Sequence, residues 1–112
     1  MHIEIQPREH AAVAIITGSV DGLTAETLLE TLQGYVEAGH IQLVADLHQV
    51  EYTSSAGLRA LLATVKQARQ RGGDLRLANI NPVVLRVLEL SGFTTIMKCY
   101  DDVDGALGSF LA

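Results

Sequence analysis

Ile41-Gln42-Leu43-Val44-Ala45-Asp46-Leu47 runs directly into His48-Gln49-Val50-Glu51-Tyr52-Thr53-Ser54-Ser55-Ala56-Gly57-Leu58-Arg59. The first seven residues are too apolar for a strand with one wet face, so they predict a strand covered on both sides, in the centre of a sheet flanked by helices. The polar residues after Leu47 read as a short loop. From about Gly57 to Arg71 the apolar residues Leu58, Leu61, Leu62, Val65 and Ala68 recur at helical spacing, with Arg59, Lys66, Gln67, Gln70 and Arg71 on the other faces. A buried strand that feeds an amphipathic helix is the repeating unit of an α/β fold.

Ser54 and Ser55 fall where that helix starts. A hydroxyl in this place can accept a hydrogen bond from one of the unpaired first-turn amides and so act as a helix cap. Small, exposed side chains beside a helix N-terminus also suit a phosphate. The local residues alone leave both readings open.

Upstream of the strand, Ile3-Glu4-Ile5 alternates, Gln6-Pro7-Arg8-Glu9 turns, and Ala11 to Thr17 is a β-rich run, which together predict an N-terminal hairpin. Gly18-Ser19-Val20-Asp21-Gly22 then loops into a helix capped by Thr24, with Leu23 stapled against Leu28 and with Leu28, Leu29, Leu32 and Val36 facing the core. Gly39 ends it. Downstream, Gly72-Gly73 stops the second helix, Asp74 to Asn79 alternates as a strand, and Asn81-Pro82 opens a third helix running to about Leu90. That helix is apolar almost all round, which means either deep burial or a face kept for a partner. Thr94 to Tyr100 reads as the last strand. Asp101 is expected to cap a final short helix whose stripe is Val103, Ala106, Leu107 and Phe110. Residues 1–112 therefore form one α/β domain with a mixed, largely parallel sheet of about five strands.

The 112 residues carry 13 acidic against 8 basic side chains, a formal net charge of -5, which disfavours nucleic acid or anionic lipid as a primary partner. Aromatic residues are 4%, too few for a base-stacking platform. Cys99 stands alone and His2, His10, His40 and His48 are scattered, so neither a disulfide nor a metal-ligand set is expected, and no cofactor is called for. No segment approaches the ~18 apolar residues of a membrane span. Catalysis is not expected either. Thr53-Ser54-Ser55-Ala56-Gly57 lacks the first glycine of a nucleophile elbow, His48 is not placed as its base by any motif, and Asp101-Asp102-Val103-Asp104 reads as a cap with an acidic first turn.

Taken in order, Thr17-Gly18-Ser19-Val20-Asp21, Asp46-Leu47, Val50-Glu51-Tyr52, Ser54-Ser55-Ala56-Gly57-Leu58, Arg71-Gly72-Gly73, Asn81-Pro82 and Leu90-Ser91-Gly92-Phe93 resemble the STAS domain, in particular the bacterial anti-sigma factor antagonists. The resemblance implies helices packed mainly on one face of the sheet and a partner-switching role in the cytoplasm. In that role the unmodified protein binds an anti-sigma factor serine kinase and frees the sigma factor, phosphorylation of a serine ends the interaction, and a metal-dependent serine phosphatase restores it. Anchored on Gly57-Leu58, the family pattern carries the phosphoacceptor onto Ser55, with Ser54 as the alternative. The partner-binding residues it implies are Asp21, Ser54, Ser55, Ala56, Gly57, Leu58 and Arg59. Ser54 stands where the family often has aspartate, and Ala56 where it often has serine or threonine. A different class of role is implied by solitary STAS domains that serve, without phosphoserine, as cytoplasmic subunits of lipid ABC transporter complexes.

Overall fold

A computed structural model describes Met1 to Leu111. Five strands, β1 (His2–Pro7), β2 (Ala12–Thr17), β3 (Gln42–Gln49), β4 (Asp74–Ala78) and β5 (Cys99–Tyr100), lie side by side in chain order. β1 is antiparallel to β2, as the expected hairpin requires, and every later pair is parallel. The connecting helices are α1 (Ala25–Glu37), α2 (Ser55–Gln70) and α3 (Pro82–Leu90), and α4 (Val103–Ser109) closes the described chain.

This order accounts for the layering. Right-handed crossovers that always step to the same side of a sheet place every crossover helix on the same face. Accordingly Leu28, Leu32 and Val36 of α1, Leu58, Leu61, Val65 and Ala68 of α2, and Val84 and Leu88 of α3 share one cluster with Ala12, Ala14, Ile16, Leu43, Ala45, Leu47, Leu75 and Leu77 from the sheet. The opposite face carries Val13, Val44 and Ala78, and among the described residues α4 covers it through Ala106 with Val103, Leu107 and Phe110 packed alongside. Both faces of β3 are thus closed, and Leu43, Val44 and Ala45 are all fully buried, in agreement with the apolar run. Burying a leucine such as Leu43 or Leu61 is worth about 1.5–3 kcal/mol, so this two-sided core is the main source of stability.

Three expectations are corrected. The last strand shrinks to Cys99–Tyr100, because the segment before it forms a single 3-10 turn, Phe93–Thr95, set off by Gly92 at φ 76°. Thr94 and Thr95 are exposed there, so their β propensity has no neighbouring strand to pack on. The cap of α4 is Asp102, whose Oδ1 accepts from the Gly105 amide at 2.6 Å, and not Asp101. The expected staple at α1 is absent, since Leu23 is 88% exposed and Leu28 is buried under the helix. α3 takes a middle course between the two readings: Val84 and Leu88 are buried while Val83 and Leu90 face solvent.

Candidate functional site at the start of the second helix

β2 and β3 part company through a bulge. Ile15 opposes Asp46 but Thr17 opposes Gln49, so β3 carries one extra residue, and Asp46 Oδ1 accepts from the His48 amide at 3.1 Å at that point. The two chains do not separate afterwards. Gly18 N donates to Gln49 O, Val20 N donates to Tyr52 O at 2.9 Å, and Ser54 N donates to Val20 O at 2.7 Å, with Val20 and Thr53 forming an isolated parallel bridge. This stitch holds the β2–α1 loop, which bears Asp21, beside the first turn of α2.

Ser54 is the cap of α2. Its backbone is extended (φ -80°, ψ 171°) and its Oγ accepts from the Gly57 amide at 3.2 Å. Ser55 is the first helical residue, is exposed, and its hydroxyl makes no hydrogen bond among the described residues. The sequence could not divide these roles, because either of two adjacent serines satisfies the cap pattern and only the backbone torsions decide which one does.

Gly57 is buried against its own chain. A Cβ there would collide with Thr53 Oγ1 and stand 2.8 Å from Val20 Cγ1, the two residues of the bridge. Leu58 is 4% exposed and belongs to the main core. Both belong to the implied partner-binding set, and within the fold both are packing residues: Gly57 lets α2 sit down on the stitched loops, and Leu58 anchors the turn from below. Asp21, Ser55 and Arg59 are exposed, and Ser54 and Ala56 are half-buried.

Thr24 holds the N-cap position of α1 but makes no side-chain cap bond, and the turn leading into the helix is closed by Asp21. Its Oδ1 accepts from the amides of Leu23 and Thr24, both at 2.9 Å, while Thr24 Oγ1 accepts from the Asp21 amide in return. These bonds, led by the one from Thr24, hold the exposed carboxyl below its ordinary value of 3.8. Their contribution to stability is present above that value and is lost as pH falls through the lower folded one. Asp21 is thus rigid at neutral pH and charged beside the α2 terminus.

Between α1 and α2 runs an open groove of about 370 Å³ bordered by Ala25, Leu29, Ala56 and Ala60, with Glu26 and Arg59 on its rims. Tyr52, exposed just before the stitch, adds an aromatic surface on the loop that leads to Ser54. Sequence reasoning did not single out Tyr52, and no pattern marks a loop tyrosine as solvent-facing. The strand order never reverses, so the crevice in which doubly wound sheets hold nucleotides is not formed. No cluster of three or more His, Cys, Asp or Glu side chains able to hold a metal occurs among the described residues. None of their helices is long and apolar enough to cross a membrane. What the geometry offers is a firmly held protein surface that carries the unbonded Ser55 hydroxyl, the fixed Asp21 carboxylate and the Arg59 guanidinium, which has no ion pair among the described residues.

A sheet of this order, with three crossover helices on one face and a capped serine turn after its central strand, defines the class of α/β domain. Residues 2–106 match the STAS domain, and the chain belongs to that family. It is 38% identical over 98 residues to BtrV of Bordetella bronchiseptica, which carries the provisional name anti-sigma factor antagonist, covering 88% of this chain and 84% of that protein. An anti-sigma-B factor antagonist of Listeria monocytogenes is 32% identical over 97 residues, 86% of this chain and 85% of that one. The crystal structure of an anti-sigma factor antagonist from Mycobacterium paratuberculosis superposes with a TM-score of 0.87 at 26% identity, covering 96% of this chain and 92% of that one.

Proposed function

We propose that this chain is an anti-sigma factor antagonist which docks on an anti-sigma factor through the surface around Ser55, and that phosphorylation of Ser55 ends the docking. The observation that carries the reading is the division of labour between the two serines: Ser54 is occupied as the cap, while Ser55 stands exposed with a free hydroxyl on a rigid turn. In the forward step the anti-sigma factor acts as a serine kinase. Ser55 Oγ forms a bond to the γ-phosphorus of ATP, the bond to the β-bridging oxygen breaks, ADP leaves, and the hydroxyl proton passes to a base on the kinase. In the reverse step a metal-dependent serine phosphatase delivers water to the phosphorus and returns serine and inorganic phosphate.

The fold has no need to change. A phosphate adds a charge of about -1.5 to -2 at the first helical position, where the helix dipole favours it by roughly 0.3–1 kcal/mol. At a docking surface the same group must lose water and face the partner beside Asp21, a carboxylate of the same sign. A penalty of about 2.7 kcal/mol already lowers affinity a hundredfold.

The test is a titration of wild type, Ser55→Asp and Ser55→Ala against the cognate anti-sigma factor, with peptide mass spectrometry after incubation with that factor and ATP. Ser55→Asp is expected to stay folded and to bind about a hundredfold more weakly. Ser55→Ala, which loses no cap, is expected to bind like wild type and to take up no phosphate. An Asp variant that binds as wild type does, or a phosphate found on Ser54, rejects the assignment.

A further inference from the structure

Arg59 stands four residues after Ser55 on α2, and both are exposed. Residues at this spacing are neighbours on a helix surface, and helical side chains lean toward the N-terminus, so the long arm of an arginine at position 59 is within reach of a group on Ser55. Its guanidinium makes no ion pair or side-chain hydrogen bond among the described residues. The ion pairs among the described residues engage Arg69 and Arg76, both on Asp74, and the third joins His10 to Glu9. Glu26, on the opposite rim of the α1–α2 groove, forms no ion pair with Arg59 either. An anion N-terminal to a cation at this spacing is also the better of the two orientations.

We propose that Arg59 is the intramolecular counter-ion of phosphorylated Ser55. This rests on the reading that Ser55 is the modified residue. Phosphorylation then changes the docking surface twice over: it adds a dianion at Ser55 and draws Arg59 away from the partner and onto the phosphate. The planar guanidinium can meet two phosphate oxygens at once, which a lysine cannot do. The other charged groups on the surrounding elements are Asp21 in the β2–α1 loop, Glu26 on α1, and Glu51 and His48 in the β3–α2 connection, with the Met1 main chain lying against Gly18. The three carboxylates would raise the second pKa of the phosphate. A lowering is therefore the signature of a cation, and Arg59 and His48 are the side chains that could supply it.

The experiment installs phosphoserine at position 55 during translation, so that no kinase is needed, and titrates its phosphorus resonance in the wild-type, Arg59→Gln, Arg59→Lys and His48→Gln backgrounds. At low salt the second pKa in the wild-type background is expected to lie about 0.2 to 0.4 below that in Arg59→Gln. Arg59→Lys should recover part of the difference, His48→Gln should leave it intact, and 1 M salt should abolish it, since the screening length falls to about 3 Å. Equal values in the wild-type and Arg59→Gln backgrounds at low salt overturn the proposal, as does a lowering that follows His48 instead. Because the phosphate is placed synthetically, these outcomes are separate from whether a kinase modifies Ser55 in the first place.

Discussion

At its start α2 turns Ser55 and Arg59 out to solvent without side-chain partners among the described residues, whereas at its last turn it directs Arg69 onto Asp74. Asp74 is 5% exposed and takes Arg69 Nε on Oδ1 at 2.9 Å and Arg76 Nε on Oδ2 at 3.1 Å. The two guanidiniums are themselves tied down. Arg69 donates to Ile96 O at 2.8 Å, and Arg76 donates to Ser109 Oγ at 2.7 Å while lying 4.1 Å from the centroid of the Phe110 ring. One carboxylate thus gathers α2, β4, α4 and the segment after the 3-10 turn into a clamp. The first turn is held just as firmly, but by backbone hydrogen bonds and by the missing side chain of Gly57, which leave its charges and its hydroxyl free. Polar groups that satisfy one another hold the fold at one end of α2, and the docking surface is proposed at the other, where the turn is fixed but its polar groups are unsatisfied.

The largest expected effect should break the clamp. Asp74→Ala leaves Arg76, whose side chain is only 13% exposed, without its carboxylate. Removing one partner of a buried pair costs about 3 kcal/mol or more, here moderated by the solvent access of Arg69. A loss of roughly 10 °C in Tm is expected, with affinity for the anti-sigma factor unchanged at temperatures where the variant is folded. Melting and titration check both halves, and a variant of unaltered Tm would mean that the arginines hold this end without Asp74.

A smaller effect is expected at the other end. Gly57→Ala must push Thr53 or Val20 aside, which costs about 1–3 kcal/mol, the usual range for overpacking. This is opposite in sign to the gain that alanine gives at an open helical position. Denaturant unfolding decides between them, and an equal or more stable variant would show that the bridge between Val20 and Thr53 relaxes freely.

The finest distinction concerns the adjacent serines. Ser54→Ala removes the oxygen that receives the Gly57 amide and should cost about 1 kcal/mol, while Ser55→Ala, which breaks no bond, should stay within about 0.5 kcal/mol of wild type. Paired denaturation curves measure this directly. Reversed magnitudes would exchange the roles of the two residues and sharpen the comparison of the two ends into a different assignment of the free hydroxyl.

Much of the architecture was legible in the residues themselves. The buried character of Ile41 to Leu47, the helical spacing from Leu58 to Ala68, the hairpin before them and the Asn81-Pro82 start of α3 are written in local hydrophobic periods and turn chemistry, which depend on nothing distant. The ordered set of short motifs carried the family. Tertiary structure alone decided the rest. Whether Ser54 or Ser55 caps is a matter of backbone torsion, and Gly57 is a packing residue only because Val20 and Thr53, far from it and near it in sequence, meet above it. The short β5 follows from the 3-10 turn set off by Gly92, and it took the assembled sheet to show that α4 packs on the second face. A local pattern fixes which side of a residue is apolar, but which groups are left without partners depends on every element that arrives beside them, and the site proposed for this protein rests on such groups.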